Sequence, residues 1–142
     1  MGNPCEYFRA PSADQAAAVA DGGPIERFDT VDGREPDVVL DQLIAHVRGV
    51  EWRPGLSGTT LISAEENDFD AWVCLVADDV RDTLADIPDD DVPALARWWA
   101  AIEELAPLSG EPLDLAPDLR RLVALTRRAR DAGEHLYVWM CL

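Results

Sequence analysis

The chain has 142 residues, of which 28 are acidic and 12 are basic, so its formal net charge at pH 7 is −16. All twelve basic residues are arginines, which excludes chemistry that needs a lysine, such as Schiff-base formation or phosphate binding by a P-loop lysine. A charge this negative opposes binding to nucleic acid or to an anionic membrane. The hydrophobic content of 48% and the five tryptophans predict a packed core in one domain, residues 1–142.

The sequence also indicates a compartment. No apolar run approaches the roughly 20 residues of a membrane span, and Met1 to Glu6 lack the basic and apolar regions of a secretory signal. We therefore expect a cytoplasmic protein that does not bind a membrane. In that reducing compartment Cys5, Cys74 and Cys141 are expected to be buried thiols in strands. Their spacing does not match a zinc site, so we expect no metal and no other cofactor.

The N-terminal quarter of the chain predicts a strand and a short helix. Residues Cys5–Arg9 have the composition of a short strand. Ser12 and, three residues later, Gln15 match the capping box that opens a helix, and the alanine-rich stretch Ala13–Ala20 follows. The next stretch, Ile25–Glu35, contains an Asp-Gly pair and predicts an irregular connection.

The middle of the chain predicts a longer helix and two strands. Apolar residues at helical spacing indicate a helix that opens at Pro36, runs to Arg48 and ends at Gly49. Residues Thr59–Ser63 predict a short strand. The run Ala71–Ala77 is apolar at every position, which is typical of a central strand covered on both faces.

Three helices and a final strand are predicted in the second half. Asp78 is expected to cap a short helix, Val92–Ala106 to form a longer one, and Asp118–Arg130 to form an amphipathic one that stops at Gly133. The apolar stretch Glu134–Leu142 predicts a strand. Taken together, the order of elements predicts an α+β fold: a small sheet that includes both terminal strands, with about five helices packed against it.

Both chain ends carry motifs that point to one family. The chain starts Met1-Gly2 with Tyr7-Phe8 close behind, and its central helix closes at Gly49. Near the other end, from Arg127 to His135, a basic helix meets a glycine, a polar residue and a histidine before an apolar strand. In these features the chain resembles the YfbM-like family, small bacterial proteins of uncharacterised function. The resemblance implies an α+β fold and no established activity, so it supplies no catalytic residue.

Carboxylates are concentrated between Glu65 and Asp91, where eleven acidic residues accompany one arginine, Arg81. Helix capping and solvation are the simplest interpretation, while the functional alternative is a negative surface that accelerates association with a basic partner. Tryptophans exposed together beside this region would add an apolar hot spot. The predicted partner-binding residues are Asp78, Asp79, Asp89, Asp90, Asp91, Trp52 and Trp99.

Two functional hypotheses follow. The first is a non-enzymatic acidic module that covers a basic protein, as an immunity protein or an antitoxin does. The second is a small enzyme or ligand-binding domain with a pocket between the two terminal strands, where His135, Tyr7 and Glu6 are the catalytic candidates. A structural role is the simplest interpretation of both histidines, His46 and His135. No serine-hydrolase elbow, dinucleotide fingerprint or His-Glu-x-x-His motif is present, which favours the first hypothesis.

Overall fold

A five-stranded antiparallel sheet lies at the centre of the computed structural model, which describes residues 5–64 and 70–142. The strands are β1 (Cys5–Ala10), β2 (Thr30–Gly33), β3 (Thr60–Leu61), β4 (Ala71–Val76) and β5 (His135–Cys141). The helices are α1 (Ala13–Ala17), α2 (Asp41–Arg48), α3 (Asp78–Ala85), α4 (Val92–Ala100) and α5 (Ala116–Asp131). The predicted α+β fold, with both terminal strands in the sheet, is confirmed.

The last strand occupies the middle of the sheet. The strand order is β2-β1-β5-β4-β3, and every neighbouring pair is antiparallel. Met140 of β5 lies opposite Cys5 of β1 on one side and Trp72 of β4 on the other. The first and last strands are therefore direct hydrogen-bonded neighbours.

The two faces of the sheet are covered by different helices. Because strand residues alternate between faces, Tyr7 and Val138 lie on the face that packs against α2, α3, α4 and α5, where the larger core cluster is found. Phe8 and Tyr137 lie on the other face, with their ring centroids 5.6 Å apart, in a smaller cluster with Ala16 of α1. The candidate functional surfaces lie mainly on the helices of the first face, α2, α3, α4 and α5.

The amphipathic helix α5 buries its apolar stripe, as its sequence predicted. Its buried residues are Leu119, Leu122, Val123, Leu125, Thr126 and Ala129. On its outer face, Arg127 and Arg130 reach the end of α3 and the turn after it, while Arg128 pairs with Asp29. The helix gives way to β5 at Gly133, which has a φ of +69°, a conformation that glycine adopts without steric cost.

Several predicted boundaries are wrong. α1 ends at Ala17 instead of Ala20, and β3 spans Thr60–Leu61 instead of Thr59–Ser63. Residues Thr30–Gly33 form β2 instead of an irregular connection, because they pair with β1 along an edge where a short, polar strand is tolerated. Asp37 is extended and Val38 has a φ of +64°, so the second helix begins only at Asp41. α4 ends at Ala100, and turns follow it.

The predicted burial of thiols is confirmed for Cys5 and Cys74. Burial, with a contribution from Glu35 near Cys5 and from Asp37 near Cys74, raises the pKa of each thiol to about 11. Cys141 is half-buried. The two buried thiols are therefore protonated at neutral pH and behave as small apolar side chains.

Some predictions concern parts of the chain outside the described residues. They are the Met1-Gly2 start of the family resemblance and three carboxylates of the acidic segment, Glu65, Glu66 and Asp68. Within the described ranges, none of the helices has the length and apolar character needed to cross a lipid bilayer.

Candidate functional site

The predicted pocket between the two terminal strands is not formed. β1 and β5 pair directly from Cys5 opposite Met140 to Ala10 opposite His135, which leaves no space between them. Glu6 and Tyr7 point to opposite faces of the sheet. His135 lies four positions along β5 from Trp139, the partner of Glu6, or about 13 Å at the usual rise of a strand. The three catalytic candidates therefore do not share one site.

Tyr7 has a structural role. Its side chain is buried, and its hydroxyl donates a hydrogen bond of 2.6 Å to the carbonyl oxygen of Arg34. The ring lies over Gly33, where any Cβ atom would overlap it. Burial raises the pKa of Tyr7 well above its usual value. The cavity that Tyr7 lines has a volume of about 10 Å³, about the space of one water molecule.

Glu6 faces a second carboxylate. It lies directly opposite Asp32 in the pairing of β1 with β2, and its Oε2 atom is buried without a hydrogen-bond partner among the described residues. Burial, and then repulsion from Asp32, raise the pKa of Glu6. Like charges directly opposite one another destabilise a sheet, so Glu6 reduces stability when it is ionised.

Replacing Glu6 by glutamine is expected to raise the free energy of unfolding at pH 7 by about 0.5–1 kcal/mol, because the repulsion from Asp32 is removed. A carboxyl whose pKa is raised on folding costs stability only at pH values above its unfolded pKa, about 4.3 for Glu. The gain should therefore disappear in urea titrations near pH 3.5, which is about one unit below that value. Asp32→Asn should give a gain of the same sign. A Glu6→Gln protein less stable than the native one at pH 7 would contradict this account.

His135 forms a close pair with Asp78. Its Nδ1 atom lies 2.7 Å from an Asp78 carboxylate oxygen, and its ring meets Tyr137 edge to face. A carboxylate that orients one ring nitrogen leaves the other available as a proton acceptor. Among the described residues, however, no side-chain hydroxyl or thiol is hydrogen-bonded to His135.

Charged side chains connect this pair to α5 and β1. Arg81 donates to the carbonyl oxygen of Glu134 at 2.8 Å, while the Glu134 carboxylate pairs with Arg9. Arg9 also donates to Asp29, which receives two further hydrogen bonds from Arg128, at 2.6 and 3.1 Å. The Arg128 guanidinium, followed by that of Arg9, holds the pKa of Asp29 below its usual value. This network anchors the starts of β5 and β2 to α5 and so is structural.

The acidic residues predicted to bind a partner fall into two groups. Asp78 and Asp79 open α3, while Asp89–Asp91 form a short 3-10 turn beyond its other end. The helix has eight residues, or about 12 Å. Asp78 does not cap α3 as predicted, because Ala77 occupies the cap position and Asp78 is the first helical residue.

Most carboxylates of this region have an internal partner. Five of the seven between residues 78 and 91 form ion pairs: Asp78 with Arg81 and His135, Asp79 with Arg48, Asp82 with Arg81, Asp86 with Arg130, and Asp89 with Arg127. Asp90 and Asp91 are exposed and form no ion pair with the described residues. The two carboxylates still available to an external cation are therefore neighbours in the same turn.

Arg127 fixes the position of that turn, which we call the acidic turn (Asp89–Asp91). Its guanidinium donates to the carbonyl oxygens of Ala85 and Ile87, at 3.0 and 2.5 Å, and to Asp89 at 2.8 Å. The carbonyl oxygens that end a helix lack intrahelical partners, and Arg127 supplies donors at the end of α3. The acidic turn is thus held by α5 before any partner arrives.

The predicted exposure of Trp99 is wrong. Its side chain is only 3% exposed, and its indole N–H donates to the carbonyl oxygen of Val39 at 2.9 Å. Trp52 is 44% exposed in the loop after α2. Adjacent helical residues point about 100° apart, so when Trp99 faces the core its neighbour Trp98 lies at the flank. Trp98, half-buried, stacks on His46 with ring centroids 3.8 Å apart.

A pocket opens between α2, α3 and α4, next to the acidic turn. We call it the helical pocket; its volume is about 420 Å³, within the range of small-molecule sites. Its lining residues are His46, Val47, Arg48, Thr83, Asp86, Ile87, Pro88, Asp91 and Leu95. Asp91, a predicted partner-binding residue, is thus part of both the acidic turn and this pocket.

The polar groups of the helical pocket are mostly engaged. Arg48 donates to the Thr83 hydroxyl at 3.0 Å and lies 3.7 Å from Asp79. Asp86 pairs with Arg130 at 2.6 Å. Sequence reasoning did not find Arg48 or Thr83, because they are 35 positions apart and only the packing of α2 on α3 brings them together. The chain carries no local motif that would have indicated this pocket.

The fold and these surfaces define a small α+β protein with an acidic turn beside an open pocket. No family model matches the chain, and neither does any curated protein sequence. Among solved structures, YfbM from Escherichia coli, a protein of unknown function, is similar to it with a TM-score of 0.44 and 13% sequence identity. The alignment covers 96% of this chain and 99% of that one.

Proposed function

We propose that this chain is a non-enzymatic module that binds a basic protein at the acidic turn and the adjoining helical pocket. One observation carries the proposal: Asp90 and Asp91 are exposed and form no ion pair within the described part of the chain, and Asp91 also lines an open pocket. A partner of this kind is a basic nuclease-like or transferase protein, which the chain covers as an immunity protein or an antitoxin does.

The charge distribution supports a basic partner. The chain carries a net charge of −16, and such a surface attracts a cationic protein and raises the rate of association. The carboxylates at the opening of α3 are already paired with arginine or histidine, whereas those at the end of the acidic turn are not. Within the segment from Asp78 to Asp91, we therefore expect a cationic group of the partner to contact Asp90 and Asp91.

The arrangement is also rigid enough for recognition. Arg127 donates one hydrogen bond to Asp89 in the acidic turn and two to the carbonyl oxygens of Ala85 and Ile87 just before it, so little order has to be gained on binding. Val47, Ile87 and Leu95 provide apolar walls beside the charges. Interfaces gain affinity from desolvated apolar contacts at the centre and specificity from charges around them.

The proposal is tested first by affinity capture of the tagged chain from a lysate of its native cells, with a low-salt and a high-salt wash, followed by mass spectrometry. The captured basic protein is then purified, and its association rate is measured by stopped flow. Between about 0.05 and about 0.5 M NaCl we expect the rate to fall at least about tenfold, since salt screens exposed charges.

A pair of matched variants locates the surface. The double variant Asp90→Arg and Asp91→Arg is expected to slow association at least about tenfold at low salt. The control, Asp14→Arg with Asp21→Arg, changes the net charge equally at exposed positions in and just after α1, on the other side of the sheet, and should have a much smaller effect. Equal rates in the two double variants, or the absence of any stoichiometric basic partner, would refute the proposal.

A further inference from the structure

The helical pocket has one uncompensated charge among the residues that line it. Three lining residues carry a formal charge at neutral pH: Arg48, Asp86 and Asp91. Arg48 lies near Asp79, and Asp86 pairs with Arg130, so each of these two charges has an oppositely charged partner within the protein. Asp91 forms no ion pair with the described residues. A single bound cation would therefore neutralise the charge of Asp91 that the described residues leave unpaired.

The walls of the pocket suit a cation on an apolar stem. Val47, Ile87, Pro88 and Leu95 are all apolar, and they line the same space as Asp91. A long basic side chain buries its methylene groups along such walls and places its charged end at the carboxylate. An inorganic cation would gain nothing from the walls, and among the described residues no group of three or more metal-binding side chains converges.

We propose that the helical pocket receives an arginine side chain of the basic partner, with the guanidinium at Asp91. This inference rests on the proposed function and names the contact at its centre. A guanidinium can donate two parallel hydrogen bonds to one carboxylate and can stack on a flat ring. The lining of the pocket includes the Asp91 carboxylate and the flat ring of His46, which stacks on Trp98 with ring centroids 3.8 Å apart.

The occupancy is tested without the partner. Isotope-labelled full chain is titrated with N-acetyl-arginine amide while NMR follows the methyl groups of Ile87 and Leu95 and the indole N–H of Trp98. N-acetyl-citrulline amide, which has nearly the same shape but no charge, serves as the control compound. We expect saturable shifts at these three groups with the arginine compound and much weaker binding of the citrulline compound.

Two asparagine variants make the test specific. Asp91→Asn is expected to weaken binding of the arginine compound about three- to tenfold, the usual range for one charge-assisted contact near a surface. Asp90→Asn removes the same charge one residue away, outside the pocket lining, and should change binding less than twofold, which is about 0.4 kcal/mol. Equal weakening by both variants, equal binding of citrulline, or shifts spread over the whole acidic surface would overturn the inference.

The outcomes separate this inference from the proposed function. If the captured basic protein responds to the Asp90→Arg and Asp91→Arg double variant while the titration with the arginine compound fails, the module stands and the pocket assignment is wrong. If the arginine compound binds as expected but no basic protein is captured, the helical pocket is an arginine-binding site, but the function of the module and the partner's arginine as its occupant are refuted.

Discussion

Replacing Trp99 by alanine is expected to lower the free energy of unfolding by about 3–5 kcal/mol, the range measured for removal of large aromatic side chains from protein cores. The Trp99 side chain is almost fully buried within the larger core cluster. Its loss would leave a cavity and would also leave the carbonyl oxygen of Val39 without its indole donor. Urea titration followed by circular dichroism measures this change.

Trp52 provides the matched control for that substitution. Its side chain is 44% exposed, so Trp52→Ala should change the free energy of unfolding by about 0.5 kcal/mol or less, as is usual for surface positions. Trp52 and Trp99 were both predicted to bind a partner, so the comparison of the two variants also tests whether both side chains are exposed. If Trp99→Ala were as stable as Trp52→Ala, the burial of Trp99 and its hydrogen bond to Val39 would be wrong.

Replacing Asp41 by alanine is expected to cost about 2–4 kcal/mol, because it leaves buried donors without an acceptor. The Asp41 carboxylate is buried at the start of α2, where it accepts hydrogen bonds from the backbone N–H groups of Gly55 and Ser57, at 3.1 and 2.7 Å. A carboxylate in the first turn of a helix is further stabilised by the helix dipole. Stability is measured by urea titration at neutral pH.

The same variant should loosen the loop that carries Trp52. We expect the amide protons of Gly55 and Ser57 to exchange with solvent faster in Asp41→Ala, because both lose their acceptor. Asp37→Ala is the control, since Asp37 is an exposed carboxylate four positions earlier and should change stability by about 0.5 kcal/mol or less. Unchanged exchange at Gly55 and Ser57 would contradict the role given to Asp41.

Most of the fold could be predicted from local patterns. The apolar stripe of α5 and the continuous apolar run of β4 predicted which side chains are buried. Gly133 predicted where the final helix gives way to a strand. β2 could not be predicted in this way, since Thr30–Gly33 has little apolar character and is a strand only because β1 lies beside it. The break in the second helix at Val38 could not be predicted from local sequence either. Valine has no intrinsic preference for a positive φ, so the surrounding packing imposes this conformation.

The candidate site was less accessible to sequence reasoning. The concentration of carboxylates was visible, but which of them are neutralised depends on arginines far away in the chain, such as Arg127 for Asp89. Adjacent helical residues such as Trp98 and Trp99 point in different directions, but the sequence alone does not indicate which of them faces the core. His46 was recognised only as a histidine on a helix, and its stacking on Trp98 depends on how α2 meets α4.

The central position of β5 has a consequence for the order in which the chain can fold. Before β5 is in place, β1 with β2 and β3 with β4 are two separate ribbons, and each exposes an open edge toward the other. Open strand edges readily pair with other chains, and contacts between distant parts of a chain form slowly. The gap between the ribbons is one strand wide, and β5 must fill it before a β-strand from another molecule does. The same strand therefore completes the native sheet and covers the inner edges of both ribbons.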